Sequence, residues 1–311
     1  MKRICVAAIL VLFCLPTPLL AQGLLPGGFP SLSSLTENVK VNPYAQVGFQ
    51  WVGSNLNLPV QNEPLPNLGL HIGDLDISLK DANFWTGIAG INVAVTETYS
   101  FFAAAGGLLN RSFITAGTVP VSIGTVSTSP TLEFTNTGME SWFIQTGIGV
   151  KRLLLGLYWN HFSFALGEPR NVSGPNQPNQ TLRGDILTTT FCPFIGLAFP
   201  AGGASLTITY SPLAYSTTAL SLTSSQNNLA QLRYTWKQPG QLLNAMFQYA
   251  MSFSSSISVG VWANGSWMRM RNDAELEFES TPTPLLSRTR DVTATVTQFI
   301  VGGGVTLGMS F

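Results

Sequence analysis

The residues able to do acid–base, nucleophilic or metal chemistry are few, with only two histidines and three cysteines in the 311-residue chain. The grouping closest to a metal site is His71 with Asp74 and Asp76. A structural zinc site needs four nitrogen or sulfur ligands, usually in closely spaced pairs, and no second group supplies the rest. We therefore predict no metal and no cofactor, and expect these aspartates to be water-facing charges in a loop.

A second chemical feature is the run from Trp159 to Asn171, which contains His161 and Ser163. Residues two apart on a β-strand share a face, so this pair would project from one side of a strand. If Leu157 and Trp159 face lipid, so do His161 and Ser163. The run resembles the His-x-Ser-Asn stretch and the following Pro-Asn loop of outer-membrane lipid A deacylases.

This resemblance implies that Ser163 attacks a lipid ester, that His161 takes its proton, and that an acid on the next strand orients the histidine. The nearest acid there is Asp185, and Phe164 stands where the family has asparagine. We favour a non-enzymatic protein without catalytic residues. A lipid A esterase using Ser163, His161 and Asp185 is the alternative.

The N-terminus has the order of a secretory signal peptide. Lys2 and Arg3 precede an unbroken apolar stretch over 4–15, and the small residue Ala21 follows. This stretch is shorter than the roughly 20 residues of a membrane-spanning helix, so we predict cleavage near Ala21. Residues 22–43 would then form a periplasmic tail, or a segment tucked into the rest of the protein.

The composition is too uncharged for a soluble protein. Charged residues make up 10% of the chain and the mean hydropathy is +0.25, whereas soluble domains are about 25% charged. Removal of the signal leaves 13 basic against 15 acidic residues, which excludes a basic nucleic-acid surface. It also leaves only Cys192, so no internal disulfide is expected.

The C-terminus shows where the hydrophobicity resides. Apolar residues and one glycine at every second position alternate with small or polar residues: Phe299, Val301, Gly303, Val305, Leu307, Met309 and Phe311. An alternating strand that closes on an aromatic residue resembles the sorting signal of bacterial outer-membrane barrels. The resemblance implies that the barrel-assembly machinery reads Leu307, Met309 and Phe311.

The same alternation recurs at 45–51, 85–95, 142–150, 204–210, 243–253 and 257–267. About ten residues suffice to cross a membrane as a tilted strand. The opposite faces carry Ser, Thr, Asn, Gln and Gly with few charges. We therefore predict an all-β protein, a transmembrane antiparallel up-and-down β-barrel over residues 44–311, in the bacterial outer membrane.

Connections predict the number of strands. Short ones are expected at 96–98, 151–152, 200–203 and 254–256, and long ones at 53–67, 111–138, 167–184, 220–229 and 272–289. Four short and five long connections make ten strands with both termini in the periplasm. Residues 68–81 are interpreted as a hairpin arm or a strand extension above the membrane. Twelve strands result if that arm pairs independently.

Past Trp267 the apolar residues change to the opposite face. Charged residues over 269–279 would point outward above the membrane. The residues predicted to line an apolar upper lumen are Met268, Met270, Leu276, Phe278, Val292 and Val296. Such a lining suits packed loops or a hydrophobic ligand.

Function is less specified than fold, because one fold hosts many activities. We predict a non-enzymatic barrel that stabilises the envelope or passes small or apolar solutes through a narrow lumen. The alternatives are the esterase and an adhesin-like surface protein presenting the charged arm from Arg269 to Asp291. Ten strands are too few for a wide porin channel. The expected partners are outer-membrane lipid, lipopolysaccharide and the barrel-assembly machinery, not nucleic acid.

Overall fold

The computed structural model describes residues 39–60, 63–65, 70–72, 74–109, 117–123, 131–134, 139–165, 170–174, 177–224, 228–280 and 288–311. The predicted signal peptide and most of the 22–43 segment lie outside the described residues. Within the described part of the chain, no helix is long and apolar enough to cross a membrane.

Regular structure in the described residues is entirely β. The strands are β1 (Lys40–Leu58), β2 (Glu63–Leu65), β3 (Leu70–Ile72), β4 (Leu75–Ala94), β5 (Tyr99–Leu108), β6 (Gly117–Ile123), β7 (Thr131–Phe134), β8 (Met139–Val150), β9 (Leu153–Ala165), β10 (Arg170–Gly174), β11 (Gln177–Ala201), β12 (Ala204–Ser224), β13 (Asn228–Trp236), β14 (Gly240–Ser252), β15 (Ile257–Ser280) and β16 (Arg288–Met309).

The long strands close into a ring of ten positions. In order these are β1, β4, β5, β8, β9, β11, β12, the β13–β14 pair, β15 and β16, and β16 pairs again with β1. Strands β13 and β14 share one position, because both lie between β12 and β15. All pairings in the ring are antiparallel, so the predicted ten-stranded up-and-down barrel is confirmed.

Side chains alternate between the two faces of the wall. On β15, Val259 and Val261 point outward and are 44% and 50% exposed, while Gly260 and Trp262 between them are buried inside. Further outward apolar residues include Phe49, Ile148, Leu155, Ile195, Phe247, Val301 and Val305. An outward apolar band around a closed barrel is the surface that lipid covers.

Four tight turns join strands at one end of the barrel, called here the turn end. They connect β4 to β5, β8 to β9, β11 to β12 and β14 to β15, as predicted. The hydroxyl of Thr96 accepts hydrogen bonds from two backbone N–H groups of its turn, and Ser254 does the same. Lys151 and Gly202 have φ values of 55° and 59° at the first position of their two-residue turns. Polar caps and positive φ at these sites are typical of hairpin turns.

The connections at the opposite end, called the loop end, are shorter than predicted, because strands occupy much of those stretches. Strand β1 continues to Leu58, β11 begins at Gln177, β12 runs to Ser224, β15 reaches Ser280 and β16 starts at Arg288. At about 3.3 Å per residue the 24 residues of β15 span roughly 80 Å along the strand, far more than a tilted crossing of the ~25 Å apolar band requires. The barrel therefore has an extension beyond the membrane.

The residues at 68–81 belong largely to this extension. Strand β4 begins at Leu75, which pairs with Leu58 at the tip of β1. The interpretation as a strand extension is confirmed. Strands β2, β3, β6, β7 and β10 are short and occupy no position in the ring.

Candidate functional site

The lumen near the turn end is narrowed by aromatic rings, which we call the aromatic layer: Tyr44, Phe102, Tyr158, Phe194 and Trp262. Glycines stand where these rings approach the wall. A side chain at Gly48 would overlap Trp262, and one at Gly156 would overlap Phe194. The Trp262 indole N–H donates to the Val305 carbonyl at 3.1 Å. Glycine on the inner face thus lets large rings lie across a narrow lumen.

Above the aromatic layer lies a cavity of about 100 Å³. Five side-chain amides from five strands line it, and we call them the amide belt: Gln50, Gln145, Asn160, Asn244 and Asn264. None of the described residues that line the cavity carries a charge. Phe143 and Trp262 are both in its wall.

Buried hydroxyls lie at the height where the polar lining of the lumen gives way to apolar side chains. Thr188 faces Thr218 and Thr190 faces Ser216, each pair at 3.1 Å between side-chain oxygens. The Thr190 hydroxyl also donates to the Met268 sulfur at 3.7 Å. Paired hydroxyls satisfy one another, so this level needs no water.

The interior of the extension is an apolar core. The six residues predicted to line an upper lumen all point inward and are at most 5% exposed: Met268, Met270, Leu276, Phe278, Val292 and Val296. They belong to one cluster with Leu58, Ile77, Ile186, Leu220 and Leu232 from the other walls. Tyr234 lies in the same cluster and donates its hydroxyl to the Pro59 carbonyl at 3.1 Å; burial raises the pKa of this phenol. The interior at this level is packed side chains.

The outer wall near the upper edge of the apolar band carries His161 and Ser163. Both point outward in register with Leu157 and Trp159. The Trp142 ring stacks on the His161 imidazole, with centroids 5.0 Å apart and planes 13° apart, and Trp159 meets Trp142 edge to face. Aromatic side chains at this height are typical of the membrane–water interface.

The acid proposed for an esterase is not behind the histidine. Thr189 lies opposite His161 on β11, while Asp185 lies opposite Ala165. Four residues separate Thr189 from Asp185, which corresponds to roughly 13 Å along the strand. Asp185 therefore cannot orient the imidazole in this arrangement.

A different acid, Glu140 on β8, lies directly opposite Ser163. Sequence reasoning missed it, although the two-residue turn at 151–152 fixes the β8–β9 register and could have identified it. Among the described residues no hydrogen bond or ion pair links Glu140, His161 and Ser163. The group is a cluster on the barrel surface without the contacts of a catalytic triad.

Within the charged arm, the charged residues of β15 from Arg269 to Glu279 and Asp291 on β16 lie on the outer face of the extension, whereas Arg288 and Arg290 occupy inward positions opposite Phe278 and Leu276. Arg233 and Glu277 approach to 3.7 Å, and Lys237 contacts Asp291 at 2.6 Å. The hydrogen bond with Asp291 raises the pKa of Lys237, and desolvation acts in the opposite direction. These exposed pairs are the water-facing surface of a packed wall, and each contributes little to stability.

The aspartates near His71 show no metal-binding geometry. Asp74 accepts a hydrogen bond from the Val60 backbone N–H at 2.8 Å, which ties the tip of β1 to the start of β4. Across the described ranges, no group of three or more His, Cys, Asp or Glu side chains could hold a metal ion.

Comparison with known proteins identifies the fold and no more. No protein-family model and no curated protein matches the chain. Among solved structures, the outer membrane protease OmpT from Escherichia coli superposes with a TM-score of 0.58 at 12% identity, covering 89% of this chain and 100% of that one. Two further structures are more distant. The translocator domain of the autotransporter NalP from Neisseria meningitidis has a TM-score of 0.34 at 12% identity, covering 90% of this chain and 91% of that one. OprG from Pseudomonas aeruginosa has a TM-score of 0.29 at 9% identity, covering 87% of this chain and 95% of that one.

OmpT is an outer-membrane protein, and the chain shares its β-barrel architecture. It is a β-barrel of the bacterial outer membrane, with a lipid-facing apolar band and an extension above it.

Proposed function

We propose that this outer-membrane barrel is a closed, non-enzymatic structural protein of the envelope, which holds a rigid extension beyond the bilayer. The observation that carries the proposal is the apolar core, which fills the interior of the extension from wall to wall. The surroundings of His161 on the outer wall and the charged outer face of the extension support the same proposal.

The apolar core acts as a seal. Leu58 on β1, Ile186 on β11 and Leu276 on β15 come from different walls, and all have essentially no exposed surface. Protein interiors are close-packed, so an ion or polar solute would have to cross this core without hydrogen-bond partners. Passage of an apolar solute would require the same side chains to separate.

The outer-rim geometry supports a non-enzymatic role. His161 is stacked on Trp142, and among the residues that the structure describes no carboxylate is hydrogen-bonded to its imidazole. A histidine without an orienting partner is a poor base for activating Ser163.

The orientation follows from the two ends of the barrel. Short turns on one side and long connections on the other are the periplasmic and extracellular ends of such proteins. We infer that the turn end, with Lys40 and Phe311, faces the periplasm and that the extension faces the outside. The charged outer face of β15 then meets water and surface polysaccharide.

The first prediction concerns conductance. Purified protein in planar lipid bilayers should show no steady single-channel current, because the apolar core closes the lumen. A 16-stranded porin prepared in the same detergent is the positive control. Stable current steps from the wild-type chain in repeated insertions would show that the lumen is open and would overturn the closed-barrel proposal.

The structural role also predicts the phenotype of a strain that lacks the protein. A strain that lacks the protein should become more sensitive to detergent and to large hydrophobic antibiotics, and both the wild type and the Ser163→Ala/His161→Ala double variant should restore resistance. Rescue by the wild type alone would favour the esterase instead.

The second prediction concerns assembly. The Phe311 backbone exchanges hydrogen bonds with Val41, at 3.0 and 3.3 Å, and its ring is exposed on the lipid side. We propose that this residue is part of a sorting signal, so Phe311→Asp should reduce the amount of folded, heat-modifiable barrel in outer-membrane fractions. Ser310→Asp, one position away, is the matched control. Equal yields from both variants would contradict the sorting role.

A further inference from the structure

We propose that the cavity inside the amide belt is a binding site for a small neutral polyol. This inference goes beyond the structural role, because a closed barrel needs no ligand. It rests on the polar groups that converge on the cavity, the absence of charge in its lining, and its size.

The amides converge from around the ring. Gln50 comes from β1, Asn160 from β9 and Asn264 from β15, with further amides contributed by β8 and β14. Because these strands are far apart in the chain, the arrangement is a product of barrel closure. Five amides facing one small space form a concave polar site with several convergent groups.

These amides lack protein partners. Gln50 and Asn160 are only 8% and 6% exposed, and within the described residues neither side chain makes a hydrogen bond. Buried polar groups in native proteins are almost always paired, so water or a solute in the cavity is their expected partner.

The lining selects for neutral, hydroxyl-rich molecules. An amide offers two N–H donors beside a carbonyl acceptor, and a hydroxyl both donates and accepts, so vicinal hydroxyls can pair with neighbouring amides. With no acidic or basic residue among the described lining, a charged solute would lose its hydration without compensation. The Phe143 and Tyr158 rings in the wall offer apolar surface for the C–H face of such a molecule.

Size limits the ligand. A cavity of about 100 Å³ has room for several water molecules, because one water needs at least about 10–15 Å³. A polyol between glycerol and erythritol displaces a comparable number. Since the apolar core closes the loop end, the solute reaches the cavity from the turn end, past the aromatic layer.

The test is saturation-transfer NMR on the full, folded barrel in detergent micelles, with erythritol as the probe and glycerate as its charged comparison. Wild-type protein should transfer magnetisation to erythritol and not to glycerate. Asn160→Leu, which is nearly isosteric, should weaken erythritol binding about tenfold. Asn57→Leu is the control, because Asn57 is exposed on the outer face of β1.

Heat-modifiable migration on gels checks that each variant is folded, and Asn244→Leu provides a second lesion in the same belt if Asn160→Leu fails to assemble. Equal transfer in the belt variants and in Asn57→Leu would mean that erythritol adsorbs to the surface. No transfer with the wild type would mean that the cavity holds water only. Either result would overturn the proposal, and neither bears on whether the barrel conducts.

Discussion

Replacement of Phe278 by alanine is expected to lower the free energy of unfolding by about 3–5 kcal/mol, because it leaves a cavity in a packed core. Phe278 is 1% exposed and points into the extension, where it lies beside Leu276 and across from Leu232. The strand that carries it is paired with a neighbour on each side, so the wall cannot move inward to fill the space without breaking these pairings.

Urea titration of the refolded barrel in lipid vesicles, followed by tryptophan fluorescence, measures this change. Glu277→Ala is the matched control, since Glu277 is the next residue on the same strand and its side chain is half exposed beside Arg233. The control should shift stability by less than about 1 kcal/mol. A Phe278→Ala effect no larger than that of the control would mean that the apolar core is not packed.

Replacement of Val259 by arginine is the other change with a large expected effect. Val259 lies on the outward face of β15 within the apolar band and is exposed to lipid. An arginine on this face should cost up to about 2–4 kcal/mol, because the guanidinium loses its hydration, and the cost falls toward the edge of the membrane. The same urea titration gives the value.

Thr235→Arg is the control for this second variant. Thr235 also points outward, but it lies in the extension, directly opposite Glu275. In water an added arginine there should be neutral or slightly stabilising. If both arginine variants were tolerated equally, the surface around Val259 would not be in lipid and the placement of the band would be wrong.

The two predictions concern one strand in two solvents. Along β15 the apolar residues occupy odd positions from Ile257 to Trp267 and even positions from Met268 to Phe278. The pleat itself continues without interruption, because β15 pairs with β16 in one unbroken register. Only the surroundings of the strand change at Met268. Before this residue the strand has lipid on its outer face and polar groups on its inner face. After it, the outer face meets water and the inner face meets a packed core.

The sequence by itself determined the class of fold, the direction in which most side chains point, and the number of strands. Alternation is a local property of period two, and a turn such as Lys151–Arg152 joins neighbouring strands within a few residues. Both can be read without knowing what lies across the barrel. The strand lengths were underestimated, because the charged outer face of the extension at positions such as Glu275 and Glu277 has the composition of a loop.

Only the tertiary structure decided what meets across the lumen and around the wall. It left Asp185 displaced along its strand from His161, because the β9–β11 register is set by a long connection. It also brought Gln50, Asn160 and their fellow amides to one cavity. Such contacts join residues more than a hundred positions apart in the chain, and they exist only after β1 has closed the ring against β16.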